Sequence, residues 1–196
     1  TSSDLITQRV GLGCGRLKGG SEKSNSLRLI SAALDLGIRH FDTAPPYGLG
    51  ASEPVLGAAL KNRQDVVIAT KAGLARPASP GLMQVARSIV KPLVGRIPGM
   101  RNAVLQGMAS RATPGNFDPE FITRSLETSF GLLQRERIDL LLLHEPKADD
   151  NLLPLRAVLD RYVATGRIRA CGSSTGEAVD HLVRFGTVGH YRCPET

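Results

Sequence analysis

At 196 residues the chain can bury one sizeable core, and 41% hydrophobic with 22% charged residues is an ordinary globular balance. Only 4% is aromatic and Trp is absent, which argues against an aromatic cage or a base-stacking surface. The net charge of +7 is concentrated: residues 66–117 hold seven Lys or Arg (Lys71, Arg76, Arg87, Lys91, Arg96, Arg101, Arg111) and no Asp or Glu. The remainder is neutral, so the basic balance describes one segment rather than a nucleic-acid footprint.

Cys14, Cys171 and Cys193 are scattered, with no C-x-x-C pair, and fit reduced thiols better than a disulfide framework. No apolar run approaches the roughly 18 residues of a membrane span, and the first residues carry no basic-then-apolar leader. The expectation is a cytoplasmic protein without a membrane or nucleic-acid partner.

Arg9–Gly15 reads as a first strand whose glycines permit close backbone approach. Ser24 or Asn25 can cap a helix through Leu36, with Leu27, Ile30, Ala33 and Leu34 on one face and Gly37 as its stop. Strand two is Ile38–Asp42. A Pro/Gly-rich loop with Tyr47 follows, then a helix from Ser52 to about Lys61, with Ser52 as cap and Glu53 as first-turn acid. Strand three, Asp65–Lys71, is a continuous apolar run of the kind buried on both faces in parallel sheets.

Residues 72–117 are irregular, although Leu82, Val85, Ile89 and Leu93 align on a basic amphipathic helix over 82–94. Emerging after Lys71, this insertion reads as a substrate lid, a solvated loop, or a helix touching a membrane or partner. Order returns at Asp118-Pro119, an N-cap with Pro at the first helical position, and Ile122, Leu126, Phe130 and Leu133 keep helical spacing. Strand four is Ile138–His144. A helix spans about Leu153–Thr165 and stops at Gly166, and strand five is Ile168–Ser173. A helix over about Glu177–Phe185 and a sixth strand over Val188–Arg192 complete the pattern. This alternation predicts a parallel α/β fold in one domain, 1–196. An open doubly wound sheet is the alternative to a barrel, but Gly11-x-Gly13-x-Gly15 lacks its later glycine and ribose-binding acid.

Three strands end in Asp42, Lys71 and His144, and Tyr47 stands in the loop after the first. Strand C-termini in such folds share one edge, so these side chains can converge. The stretch from Gly37 to Gly57, with Asp42-Thr43-Ala44, Tyr47 five residues after the acid, then Ser52-Glu53, closely resembles the aldo/keto reductase pattern. The resemblance runs over about residues 9–192 apart from the insertion. It implies a (β/α)8 barrel and an NADP(H)-dependent oxidoreductase, NAD(H) being possible, that reduces an aldehyde, ketone or sugar carbonyl or oxidises the alcohol.

By the same resemblance Tyr47 is the proton donor, Lys71 its tuner, Asp42 the partner of Lys71, and His144 the orienter of the substrate oxygen. A phenol ordinarily titrates near ~10 and needs a neighbouring ammonium to act near neutrality. Gly13, Asp42, Ser174 and Thr175 fall at cofactor-binding positions, Ser174-Thr175 standing where the family has Ser-Asn against the nicotinamide carboxamide. His40 reads as a barrel-interior residue, His181 and His190 as surface or packing residues, and no spacing suggests a metal.

A (β/α)8 barrel usually takes about 250 residues. The expectation is therefore that about six of the eight strands are present, that the chain is a fragment or a truncated member, and that unclosed edges favour self-association. A non-catalytic cofactor-binding or inactive relative is the alternative function.

Overall fold

The computed structural model describes residues 10–77, 115–147 and 150–174. Within them five parallel strands form one sheet: β1 (Leu12–Gly13), β2 (His40–Asp42), β3 (Val67–Ala72), β4 (Ile138–His144) and β5 (Ile168–Ser174). Their spatial order follows the chain, β1-β2-β3-β4-β5. Between them lie α1 (Lys23–Asp35), α2 (Ser52–Leu60), α3 (Pro119–Leu133) and α4 (Leu153–Ala164). None of the described helices is long and apolar enough to cross a membrane.

Successive side chains on a strand face opposite ways. Phe41, Ile68, Leu141, Leu143 and Cys171 form the main core together with helical residues such as Ile30, Val55, Leu56, Leu126 and Leu155. The alternate positions Ala69, Leu140 and Leu142, with Ala170, make a separate small cluster built of strand residues alone. The described helices thus cover one face, and the other carries small and aliphatic side chains in its middle and polar ones toward the C-terminal edge. Together with a strand order that never reverses, this is the barrel-type arrangement and not the doubly wound one. Among the described residues the sheet does not close on itself.

The apolar runs locate the strands: β4 has the expected bounds, β3 and β5 each run one residue further at the C-terminal end, and β1, β2 and β3 start later than the sequence suggests. Leu36, Gly37 and Ile38 end α1 in a Schellman turn: Gly37 N donates to Leu34 O and Ile38 N to Ala33 O, with Gly37 at φ +83°. Ile38 is committed to that turn, so β2 starts at His40. The first strand shrinks to Leu12–Gly13 because the chain turns at once, Leu17 N donating to Cys14 O. Asp65 stays outside β3 and pairs with Arg39 and Arg63.

Two expected caps are not made. α1 begins at Lys23 behind a short 3-10 turn, and neither Ser24 nor Asn25 caps it. α2 has no side-chain cap either. Ser52 instead donates to Cys14 O at 2.9 Å and shares a 2.8 Å hydrogen bond with the Thr43 hydroxyl, tying α2 to the ends of β1 and β2. Asp118 does cap α3, accepting from Glu120 N and Phe121 N, with Pro119 at the first helical position.

Of the 72–117 segment, the two ends are described, and they meet. Asn116 N donates to Gly73 O at 2.7 Å, and Phe117 packs so closely on Gly73 that a Cβ there would lie 2.5 Å from its ring. The amphipathic stretch over 82–94, the helix expected at 177–185 and the strand expected at 188–192 lie outside the described residues.

Candidate active site

Asp42 and His144 are the last residues of β2 and β4, and Lys71 is the last but one of β3. The register carries them to one face. Gly13 pairs with Asp42 and Asp42 with Ala69, two residues before Lys71. Lys71 pairs with Leu142, two residues before His144, and His144 pairs with Ser174 at the end of β5. Gly13, Asp42, Lys71, His144 and Ser174 therefore line the helix-free face at its C-terminal edge.

Tyr47 is brought there by its loop. Tyr47 N donates to Ala44 O at 3.0 Å and Gly48 N to Gly15 O at 3.1 Å, which stitches the loop to the turn after β1. Gly48 has φ +60°, and a Cβ there would lie 1.9 Å from Leu17 O, so no larger residue fits that stitch.

The contacts join the four residues. Lys71 Nζ donates to Asp42 Oδ1 at 2.5 Å and to Thr43 O at 3.2 Å, and lies 4.8 Å from the centre of the Tyr47 ring. The Tyr47 and His144 rings meet edge to face, their centres 5.8 Å apart. Lys71 is 4% exposed and Asp42 26%, so their ion pair opens to solvent on the carboxylate side. Gly13 is exposed beside Asp42, and a Cβ built there meets nothing within 4 Å. Ser174 is half-buried, and its carbonyl accepts from Glu145 N at 2.8 Å. Thr175 lies outside the described residues, as do His181 and His190. His40, on the same face two residues before Asp42, is buried beneath it.

Burial, and after it the Lys71 ammonium, push the His144 imidazole down to about 4. It is therefore neutral near pH 7, a hydrogen-bonding group and not a store of protons. Its Nδ1 is buried with no hydrogen-bond partner among the described residues. Burial pushes the Cys14 thiol up to about 12, with Asp42 adding to the rise, and burial does the same at Cys171. Both thiols therefore stay protonated near pH 7 and pack as apolar members of the main core. No cluster of three metal-ligating side chains occurs among the described residues.

Sequence reasoning missed two residues. Glu53, expected as a first-turn acid, is completely buried; it accepts from Thr70 Oγ1 at 2.7 Å and forms an ion pair with Arg76. Arg76, counted only as part of a basic run, also donates to Pro45 O and Gly50 O on either side of Tyr47. A glutamate in a helix's first turn carries no sign of burial, and the one available hint was that Arg76 comes so soon after the expected strand-end Lys71.

Comparison with known proteins bears on the whole arrangement. The family model described as "Aldo/keto reductase family" matches residues 9–189. Aldo-keto reductase YhdN of Bacillus subtilis (strain 168) is 33% identical over 180 residues, covering 87% of this chain and 44% of that protein. D-threo-aldose 1-dehydrogenase of a Pseudomonas species is 35% identical over 170 residues, 80% of this chain and 46% of that one. Among solved structures, the glycerol dehydrogenase AKR11B4 from Gluconobacter oxydans superposes with a TM-score of 0.67 at 27% identity, covering 95% of this chain and 50% of its own. The chain spans about half the length of the curated relatives it matches.

Proposed function

The chain belongs to the aldo/keto reductase family and its strands are part of that family's (β/α)8 barrel, and from this premise we propose that Tyr47, Lys71, Asp42 and His144 carry out a nicotinamide-dependent carbonyl reduction. The substrate class is an aldehyde, ketone or sugar carbonyl, with alcohol oxidation as the reverse. What carries the reading is the meeting of four side chains from separate elements at one edge, with the Lys71 ammonium 4.8 Å from the Tyr47 ring.

The assignment of roles follows from protonation. His144, its imidazole pushed down to about 4 by burial, is neutral at pH 7 and serves as a hydrogen-bonding group rather than as a cationic acid. Tyr47 is then the group that passes a proton from its hydroxyl to the developing alkoxide oxygen. The phenolate left behind faces the Lys71 ammonium, which offsets its charge in a half-buried site. Asp42 and the Thr43 carbonyl hold Lys71 by two hydrogen bonds, so the ammonium does not swing away. Neutral His144 orients the carbonyl by hydrogen bonding.

When bound, a nicotinamide cofactor supplies the hydride, NADPH being the first candidate and NADH the second. The residues present fit such a group: the open face at Gly13, the partly exposed Asp42 carboxylate and Ser174 lie along one edge. Gly13, Asp42 and Ser174, with Thr175, would hold the nicotinamide end. The reduced thiols of Cys14 and Cys171 support a cytoplasmic setting.

The test is titration of the complete polypeptide with NADPH and NADH by fluorescence, followed by cofactor consumption with aldehydes, ketones and aldoses. Saturable cofactor binding with turnover supports the reading. Binding without turnover of any carbonyl or alcohol would favour a non-catalytic cofactor-binding role, and no binding would overturn both.

A further inference from the structure

We infer that Arg76 is a positioning residue for Tyr47, bracing the loop that carries the phenol against the root of the 72–117 segment; this rests on the reading of Tyr47 as the proton donor. Arg76 stands four residues beyond the end of β3. One terminal nitrogen of its guanidinium donates to Pro45 O at 3.4 Å and to Gly50 O at 3.3 Å, and the other pairs with Glu53. The two carbonyls lie two residues before and three residues after Tyr47, so the cation spans the loop at whose centre the ring sits.

Glu53 is the fixed end of the brace. It is completely buried, and its second oxygen accepts from Thr70 on β3 at 2.7 Å. A buried carboxylate without a cation is strongly unfavourable, so Arg76 is held where it is. A guanidinium spreads its donors over a planar fork that reaches a carboxylate on one side and two carbonyls on the other; an ammonium has three donors but holds them at a single point. The backbone it spans needs such a hold, since Gly48 and Leu49 both sit at positive φ, 60° and 59°. The hydrogen bonds and ion pair of Arg76 go to Pro45, Gly50 and Glu53 and not to Asp42, Lys71 or His144, so it acts through the loop.

The experiment uses the complete polypeptide with three changes: Arg76→Met together with Glu53→Gln, which leaves no unpaired buried charge; Arg76→Lys, which keeps the ion pair; and Tyr47→Phe as the reference background. For the double variant kcat should fall ten- to a hundredfold, the scale of a misplaced catalytic group, while the Kd for NADPH changes less than threefold. Arg76→Lys should recover part of the loss. In the Tyr47→Phe background the Arg76 changes should cost kcat nothing further, because the group they position is gone. A loss of equal size in both backgrounds, or unchanged kcat in folded variants, would overturn the inference. Should the double variant not fold, Arg76→Lys carries the same cycle. If Tyr47→Phe itself turns over normally, it is the assignment of Tyr47 that has failed and not the brace.

Discussion

The Tyr47 and His144 rings meet edge to face, 5.8 Å between centres and 84° between planes. The contact involves the ring and not the hydroxyl, so Tyr47→Phe should leave packing and melting temperature close to native. Turnover should fall about 10²-fold or more, the usual contribution of a positioned acid, with cofactor affinity little changed. Steady-state kinetics with any carbonyl substrate decides the matter, and near-normal kcat would remove Tyr47 from the mechanism.

Lys71→Met strips Asp42 of its ammonium and the Thr43 carbonyl of a donor. Breaking a deeply buried pair costs about 3–5 kcal/mol. Asp42 keeps contact with solvent, so about 1–3 kcal/mol is expected here, alongside a large loss of kcat. Asp42→Asn added to Lys71→Met should recover part of the stability and none of the activity. Denaturant unfolding of the two variants checks this; equal stability of single and double variants would mean the pair is not coupled.

Stability should fall on acidification through His144. Its imidazole takes a proton near 6.5 in the unfolded chain and only near 4 in the folded one. Between those values the unfolded state binds more protons, so stability is lost as pH drops from about 6.5 and the loss levels off near 4, amounting to about 3 kcal/mol at most. His144→Asn should flatten that slope. Denaturation at pH 7 and pH 4.5 measures the difference, and identical slopes for variant and native chain would count against the buried neutral imidazole.

Gly57 and Gly131 should respond to alanine with opposite signs. Both are helical, and Ala in place of Gly in a helix interior gains about 1 kcal/mol. At Gly131 a Cβ meets nothing within 4 Å, so Gly131→Ala should raise stability. At Gly57 it would lie 2.2 Å from Leu132 O and 2.8 Å from the Leu133 carbonyl carbon, where the α2 and α3 backbones touch. Overpacking of that kind costs about 1–3 kcal/mol, more than the propensity gain, so Gly57→Ala should lower the melting temperature. A rise in both variants would show that α2 and α3 move apart freely.

The sheet was legible in the sequence because IDLLLLH and DVVIATK are short apolar runs of the length and kind that strands buried on both faces use. Asp42, Lys71 and His144 were legible as a group because strand-end positions in a parallel sheet share an edge, and Tyr47 with the four roles because the Gly37–Gly57 stretch resembles the aldo/keto reductase pattern. Ends were less so: β2 loses Ile38 to a turn whose hydrogen bonds depend on where the chain goes next, and Ser52 and Glu53 fit the pattern of a helix start while serving tertiary contacts. Hydroxyls and carboxylates satisfy local and distant donors equally well, and sequence alone does not say which one wins. Arg76 was hidden for a related reason, since a cation in a basic run looks solvated until the buried acid facing it is known.

The hydrogen bond from Asn116 to Gly73, with Phe117 packed over Gly73, joins the two ends of the segment that leaves β3 and returns to α3. The two described ends therefore hold each other at the root of the segment. The end of β3 and the start of α3 are thus tied to each other directly and not only through the residues between them. Lys71 and Arg76 stay on the β3 side of that junction. The same junction gives an engineer two coordinates, 77 and 115, at which a splice keeps the contacts that hold Lys71, Arg76 and Phe117.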